Sequence, residues 1–329
     1  MSRRLPQTEL LALVDALADG GWKSGPALAQ AAGVTRAALA KRIARLQDWQ
    51  LIVERRHGVG YRLAAPIERL QAQRIRALLP QPWRERLPVT VQPVIDSTNS
   101  ALAQADPAAD PQALLTELQT AGRGRRGRRW RSPFGANLYL SLAWSFAGWP
   151  PQLSALPLAA GIACMRALRR AGVDGVLLKW PNDLYARGVK LGGVLVESRA
   201  EGAGACRAVV GVGLNVSMTD DQAGVIDQPW ITVDELQRSA GRQTVGRNAL
   251  AAALLAELCV VLEAYATEGF APLAAEWDAA DAVVGRRVRI DADPPLEGVV
   301  RGIDDAGALR LETTTGVVAV SCGDVSLRG

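Results

Sequence analysis

Apolar residues at helical spacing open the chain. Leu10, Leu13, Val14 and Leu17 fall on one face of a segment that Gly20-Gly21 ends, which predicts a helix over 7–20. SGPALAQAAG predicts a second helix, capped near Ser24 and stopped at Gly33, and Thr35 caps a third, TRAALAKRIARLQDWQ. In the third, Leu39, Ile43 and Leu46 share a side, Lys41, Arg42 and Arg45 lie opposite, and Arg36 sits in the first turn. LIVERRHGVGYRL then predicts a hairpin with Arg55, Arg56, His57, Gly58 and Gly60 at its tip. Two helices joined by a glycine turn, the second one basic, followed by a basic hairpin, form the winged helix-turn-helix pattern. Arg36, Lys41, Arg42, Arg45, Arg55 and Arg56 are its candidate DNA contacts. A small helical unit with an ordinary solvated basic face is the plainer reading, and the order of turn, helix and wing argues against it.

After a linker, VTVQPVIDSTNSALAQA predicts a strand running into a helix, with Asp96, Ser97, Thr98 and Asn99 at the junction. Those hydroxyls cap a helix or meet a polar ligand. NLYLSLAW alternates like a strand, and a helix is predicted from about Ser154 to Ala171. A strand from Val176 to Trp180 meets a Pro-Asn-Asp turn containing Asn182 and Asp183, flanked by Lys179 and Lys190. A further strand covers Val194 to Glu197, and RAVVGVGLNVSM is another, with Asn215 near its end. Residues 199–207 read as a Gly/Ala-rich loop, and 247–267 as a strongly periodic core helix. From about Ala282 the texture changes to short strands and turns, which predicts a small antiparallel barrel of SH3-like type. The fold class is α+β: a winged helix-turn-helix over 1–65, a central mixed α/β domain over 66–278 and the SH3-like β-barrel over 279–329.

Composition narrows the function. With 329 residues and 49% hydrophobic content the chain has ample material for a core. No apolar run reads as long enough to span a bilayer, so no membrane partner is expected. The four cysteines, 164, 206, 259 and 322, show no C-x-x-C pair, which points to reduced thiols and a cytoplasmic location. His57 is the only histidine, which excludes a histidine-cluster metal site and disfavours a Ser-His-Asp hydrolase. Residues 1–65 carry ten Lys/Arg against five Asp/Glu, and residues 66–329 carry 28 of each, so the net +5 lies wholly in the first segment. A polyanion partner is therefore expected there.

The densest chemistry is QTAGRGRRGRRW, residues 119–130. Its Gly122-Arg123-Gly124-Arg125-Arg126-Gly127 matches the dinucleotide pattern G-x-G-x-x-G, but no helix opens on these glycines and no acid follows at ribose-binding distance. Six of the eleven residues 121–131 are arginine, with no acid among them. A solvated basic loop is one reading. Interleaved glycines, which let the backbone bend close to a ligand, favour a clamp for a small anion.

GRGRRGR at 122–128, KWPNDLY at 179–185, KLGGVLVE at 190–197, GVGLN at 211–215 and IDSTN at 95–99 together resemble the biotin protein ligases, over nearly the whole chain and in order. With the first domain in front, the resemblance is to the bifunctional ligase and biotin operon repressor form. It implies a two-step reaction on biotin and Mg-ATP: biotinyl-5′-adenylate forms with release of pyrophosphate, then biotin passes to a lysine of the biotin carboxyl carrier protein. It further implies that Ser97, Thr98, Asn99 and Gln119 contact the biotin ring system, and that Arg123, Gly124 and Arg125 close over biotin and its acyl phosphate. Lys190 would stand between the biotin carboxylate and the α-phosphate. Arg128, Trp130, Asn182 and Asn215 would serve the nucleotide, Trp130 by stacking on adenine. Asp183 would receive a proton, hold Mg²⁺ or shape the turn. Lys190, Arg125 and Asp183 are thus the catalytic candidates; no protein metal site is expected. Operator DNA and a homodimer formed on adenylate binding are the implied partners. The rivals are a ligase without DNA-binding regulation and a biotin-sensing repressor with a dead ligase domain; the intact motifs argue against the second. Lipoate ligases would lack the arginine loop.

Overall fold

The computed structural model describes residues 7–201, 204–224, 226–291 and 294–327. The predicted Gly/Ala-rich loop falls partly outside them. Three helices, α1 (Gln7–Leu17), α2 (Gly25–Ala31) and α3 (Arg36–Arg45), precede a hairpin of β1 (Val53–Arg56) and β2 (Gly60–Leu63). Ser24 Oγ accepts from Ala27 N and Thr35 Oγ1 from Ala38 N, so both predicted caps form. Arg55 and Arg56 lie on β1, one step before the tip. The buried face of this unit, from Leu10 to Leu63, also takes in Leu118 and Phe134 from the next part of the chain. Trp49 stacks on Phe134 with ring centroids 4.9 Å apart. The linker is tied down by charge: Arg69 pairs with Asp15 on α1 (2.6 Å) and with the buried Glu117 (3.1 Å), which Arg247 also meets at 2.8 Å. A carboxylate buried this fully persists only when cations and donors meet it, and Glu117 has both.

Two short helices, α4 (Ala72–Leu78) and α5 (Trp83–Arg86), lead into the central sheet. Its strands are β3 (Val89–Ile95), β4 (Gln112–Gln119), β5 (Leu138–Phe146), β6 (Val176–Lys179), β7 (Asp183–Ala186), β8 (Val189–Ala200) and β9 (Cys206–Leu214). They run in the order β3-β4-β5-β9-β8-β7-β6. Only β3 and β4 pair in parallel, joined by the crossover helix α6 (Thr98–Gln104); the other pairs are antiparallel. Helices α7 (Leu156–Arg170) and α10 (Arg247–Glu268) pack over the side built from Leu115, Leu140, Val210 and Val212. Two shorter helices, α8 (Asp220–Ala223) and α9 (Val233–Ser239), lie between β9 and α10 in the chain. In contrast to the expectation from the apolar runs, α10 is long and apolar enough to cross a membrane, with 67% of its most apolar window buried inside the protein. It is apolar on nearly all sides because it packs on α7, α4 and β5.

The sequence pattern missed one strand. Asp183 does not sit in a turn; it begins β7, which pairs with β6 on one side and β8 on the other. The strand expected at Val194–Glu197 is the middle of the longer β8. Its β9 side is paired from Gly192 to Ala200, whereas its β7 side is paired only from Val189 to Gly193.

Helix α11 (Ala274–Ala280) leads to a five-stranded antiparallel sheet of β10 (Arg287–Ile290), β11 (Leu296–Ile303), β12 (Leu309–Thr313), β13 (Gly316–Val320) and β14 (Val325–Leu327), in the order β13-β12-β11-β10-β14. The expected closed barrel is not formed. The terminal β14 is three residues long and is used entirely on β10, so among the described residues nothing closes the sheet onto β13.

Candidate active site

The register of β5, β8 and β9 places Ser141, Gly193, Leu195, Glu197, Gly211 and Gly213 on one face, the face that α6 covers. The glycines are spaces for other side chains. A Cβ on Gly211 would stand 2.1 Å from Asn99 Oδ1, and one on Gly213 would stand 2.5 Å from the Trp130 indole. GVGLN is thus a flat strip of backbone on which Asn99 and Trp130 lie.

Ser97 caps α6 through Ser100 N, and the three residues Ser97, Thr98 and Asn99 are buried. Gln119 Oε1 accepts from Thr98 N (3.0 Å) and lies 3.3 Å from Thr98 Oγ1. Ser141 Oγ lies 2.7 Å from Thr98 Oγ1 and 2.6 Å from Asn99 Oδ1. Asn99 Nδ2 donates to Leu195 O (3.2 Å) and to Glu197 Oε2 (3.0 Å), which also meets the Arg123 guanidinium. Gln119 Nε2 donates to Ser132 Oγ, which hydrogen-bonds Trp130 O. One polar chain therefore runs from Trp130 round the pocket to Arg123.

The arginine loop has acids after all, and they come from elsewhere. Arg123 pairs with Glu197, Arg126 with Asp291, and Arg125 and Arg128 share Asp324 at 3.5 and 2.7 Å. Arg129 and Arg131 donate to the backbone carbonyls of Thr120 and Gln222. The expectation of an unneutralised loop fails because sequence neighbours do not report partners 74 to 199 residues away. Burial lowers the pKa of Arg125, and Asp324 opposes the shift.

Lys190 and Asp183 form an ion pair of 2.7 Å, both largely buried. The Lys190 ammonium stands 5.5 Å from the Trp130 ring centroid. Asn182 donates to Val194 O at 2.6 Å, and its Oδ1 lies 3.5 Å from Arg125. Lys179 is nearby, 3.2 Å from Tyr185 Oη; burial lowers its pKa, against Asp183 and Asp324. Two adjoining cavities result. The smaller, about 110 Å³, is lined by Ser97, Thr98, Asn99, Gln119, Arg123, Gly124, Arg125, Asn182, Asp183 and Gly211. The larger, about 700 Å³, is lined by Asn215, Arg131, Met218, Ile226, Trp230 and, from the N-terminal unit, Asp48 and Gln50. Gln119, Arg128, Trp130 and Lys190 border both. Every ligand-site residue named from the motifs thus lines one cavity or the other. Ser132, Ser141, Glu197, Asp291 and Asp324 were not among them.

Residues 91–215 match the biotin/lipoate A/B protein ligase family, and residues 283–328 match the biotin protein ligase C terminal domain. The chain is 42% identical to the bifunctional ligase/repressor BirA of Salmonella typhimurium over 97% of both chains, and 41% identical to that of Escherichia coli over the same shares. It belongs to the BirA family of biotin protein ligases. A family relative in Mycobacterium tuberculosis, a biotin–[acetyl-CoA-carboxylase] ligase, is 36% identical over 74% of this chain and 89% of its own. The biotin protein ligase from Aquifex aeolicus, solved with biotin and ATP, superimposes with a TM-score of 0.62 at 25% identity, covering 73% of this chain and 98% of its own. The smaller cavity is lined almost wholly by the segment that carries the ligase match, and the larger one also draws on Asp48, Gln50, Met218, Ile226 and Trp230 outside it.

The predicted DNA-contacting residues separate into two sets. Arg36, Lys41, Arg55 and Arg56 are exposed, with no acidic partner among the described residues. Arg42 is turned inward onto Glu9 of α1 at 2.6 Å, and Arg45 pairs with Asp48.

Proposed function

We propose that the chain is an ATP-dependent biotin ligase that is also a biotin-responsive transcriptional repressor, with three working parts at 1–65, 66–278 and 279–329. The carrying observation is the pair of cavities divided by Lys190 and Trp130. One is a small polar pocket suited to a ureido ring with its fixed donors and acceptors; the other is large enough for a nucleotide. Biotin enters the first against Ser97, Thr98, Asn99 and Gln119, with its carboxylate toward Lys190. ATP enters the second, with its phosphates toward Arg125 and Arg128, the base against Trp130, and Asn182 and Asn215 beside it.

In the first step a carboxylate oxygen of biotin bonds to the α-phosphorus and the α–β P–O bond breaks, so pyrophosphate leaves. In the second, a carrier lysine amine attacks the acyl carbon, AMP leaves, and an amide forms. The substrates supply both nucleophiles, so the protein's task is positioning and charge neutralisation. Lys190 is a compact charge between carboxylate and phosphate, aimed by Asp183. Arg123, Gly124 and Arg125 close over biotin and its acyl phosphate. Magnesium arrives with ATP, whose phosphates are its natural ligands. No group of three or more acidic, histidine or cysteine side chains among the described residues forms a cage for it, and Asp183 is engaged by Lys190.

For the repressor part, the exposed Arg36, Lys41, Arg55 and Arg56 face operator DNA. The half-open edge of β8 beyond Val194, whose own backbone groups Asn182 occupies, is suited to pair with the same edge of a second copy when adenylate orders the neighbouring loop. The setting is the cytoplasm, in keeping with four free thiols. The test of the ligase is incubation with biotin, ATP and a carrier domain, read by mass spectrometry as a biotinylated lysine. The test of regulation is sedimentation beside gel shift, with and without adenylate. Unchanged association and unchanged DNA affinity would leave a ligase only.

A further inference from the structure

Glu197 is an acid behind the pocket lining, bonded to two lining residues, Asn99 and Arg123, and the reaction as described does not use it. It stands on β8 four residues past the last pairing with β7, on the face that carries the biotin pocket. Its Oε2 takes two donors. One is Asn99 Nδ2 at 3.0 Å, from a side chain only 4% exposed whose own Oδ1 lies 2.6 Å from Ser141 Oγ. The other is the guanidinium of Arg123 in the glycine-arginine loop.

A half-exposed ion pair on its own contributes little. Here the carboxylate also completes a buried network whose far end is Gln119, so its position is fixed from the pocket side. On the loop side the backbone is held by Trp130 N donating to Gly122 O at 2.9 Å and Gly124 N donating to Arg128 O at 2.7 Å, which leaves the Arg123 side chain to be fixed. Among the described residues Arg123 has no other side-chain partner, whereas Arg125 and Arg128 share Asp324 and Arg126 reaches Asp291. The C-terminal sheet thus meets the side chains of the distal part of the loop, and one carboxylate meets the Arg123 side chain next to the biotin pocket.

We propose that Glu197 is a positioning residue for the biotin half of the site: it fixes Arg123 over the pocket and orients the Asn99 amide within it. Its contacts are to Asn99 and Arg123 and not to Lys190 or Arg125, so its loss weakens retention of biotin and biotinyl-adenylate and spares the chemical step. The inference rests on the assignment of the smaller cavity to biotin, and the experiment separates the two.

Glu197→Gln keeps shape and removes charge; its amide has one oxygen to accept with and presents a donor where an acceptor stood. Expected are a biotin KM raised about 10-fold and an adenylate dissociation rate raised about as much, the ordinary scale for a charged hydrogen bond. The ATP KM, saturated turnover and thermal midpoint stay near wild type. Glu197→Asp, which keeps the charge on a shorter stem, restores part of the biotin affinity. Gln119→Ala is measured alongside. If Gln119→Ala raises the biotin KM while Glu197→Gln leaves KM and adenylate release unchanged, the role of Glu197 is overturned and the pocket stands. If neither variant moves the biotin KM, the pocket assignment and the proposal both fall. A Glu197→Gln effect on ATP KM or turnover equal to that on biotin overturns the positioning role. So does loss of the fold in Glu197→Gln together with wild-type kinetics in Glu197→Asp.

Discussion

Arg36, Lys41, Arg55 and Arg56 in the N-terminal unit face solvent without an acidic partner among the described residues, whereas Arg123, Arg125, Arg126 and Arg128 each meet a carboxylate from far along the chain. Both regions are rich in arginine, and their sequences alone look alike. On the proposed function the difference lies in what each binds. Open cations on a helix and a wing hold mobile counterions, and a polyanion gains by releasing them. Cations already paired at fixed positions present a defined surface, and a ligand must match it in shape as well as in charge. One region is suited to a long polymer of phosphates, the other to a single small molecule.

The largest expected effect tests the small-molecule side. On the proposed mechanism Lys190→Ala removes the charge between carboxylate and phosphate, and is expected to cost about 3–4 kcal/mol of transition-state stabilisation, or roughly 10²–10³ in adenylate formation. Pyrophosphate exchange measures it, with thermal unfolding as control. Near wild-type exchange would remove Lys190 from the mechanism. Next is the polymer side. Arg36→Ala with Lys41→Ala should weaken operator binding on the order of 10–100-fold and lower the salt slope by about 2, with ligation unaffected. A double variant that loses affinity without a change of slope would contradict phosphate contact by these residues. Arg42→Ala sharpens the distinction. Because Arg42 is held by Glu9, its loss should lower the thermal midpoint of the N-terminal unit and leave the salt slope unchanged.

A smaller effect is expected at Gln119. Its side chain links Thr98 to Ser132, so Gln119→Ala should raise the biotin KM about 10-fold and leave saturated turnover close to normal. If the ATP KM moved in its place, the two cavities would have to exchange ligands.

What was legible in the sequence was local. Caps at Ser24 and Thr35, the strand-to-helix junction at Ser97–Asn99 and the glycine-arginine loop are set by residues a few positions apart. The residues missed are those that register and topology bring in. Ser141 reaches Thr98 and Asn99 because β5 lies beside β9, Glu197 reaches Asn99 and Arg123 because β8 outruns β7, and Asp291 and Asp324 reach the loop from the C-terminal sheet. The strand β7 was hidden by good turn residues at Pro181 and Asn182, which do make a turn, but one residue shorter than expected. The barrel was overread because alternation predicts antiparallel strands and says nothing about whether the last pairs with an edge. No local signal marks Glu197; it was legible only as the end of an apolar run.

Asp281 is the reverse of the arginine loop, a carboxylate that the fold buries without a cation. It follows α11 at the entry to the C-terminal sheet. Its Oδ1 accepts from Val283 N at 2.9 Å, and its Oδ2 has no hydrogen-bond partner. Burial, with a smaller contribution from Asp278, pushes its pKa up to about 6 from an ordinary 3.8. The sign of the consequence follows from proton binding. Between those two values the folded chain holds a proton that the unfolded chain has lost, so stability falls as pH rises from about 4 to about 6 and stays lowered above that. Removing the charge should therefore stabilise. Asp281→Asn is expected to gain about 1–2 kcal/mol at pH 7.5, less than the full shift implies because the amide must find its own partner, and to gain nothing near pH 4. Urea unfolding of both proteins from pH 4 to pH 8 measures it. A difference independent of pH would mean that Asp281 acts through packing. A loss of stability at pH 7.5 would mean that the carboxylate has a cation in solution after all, and that the contrast between paired and unpaired charges fails at this site.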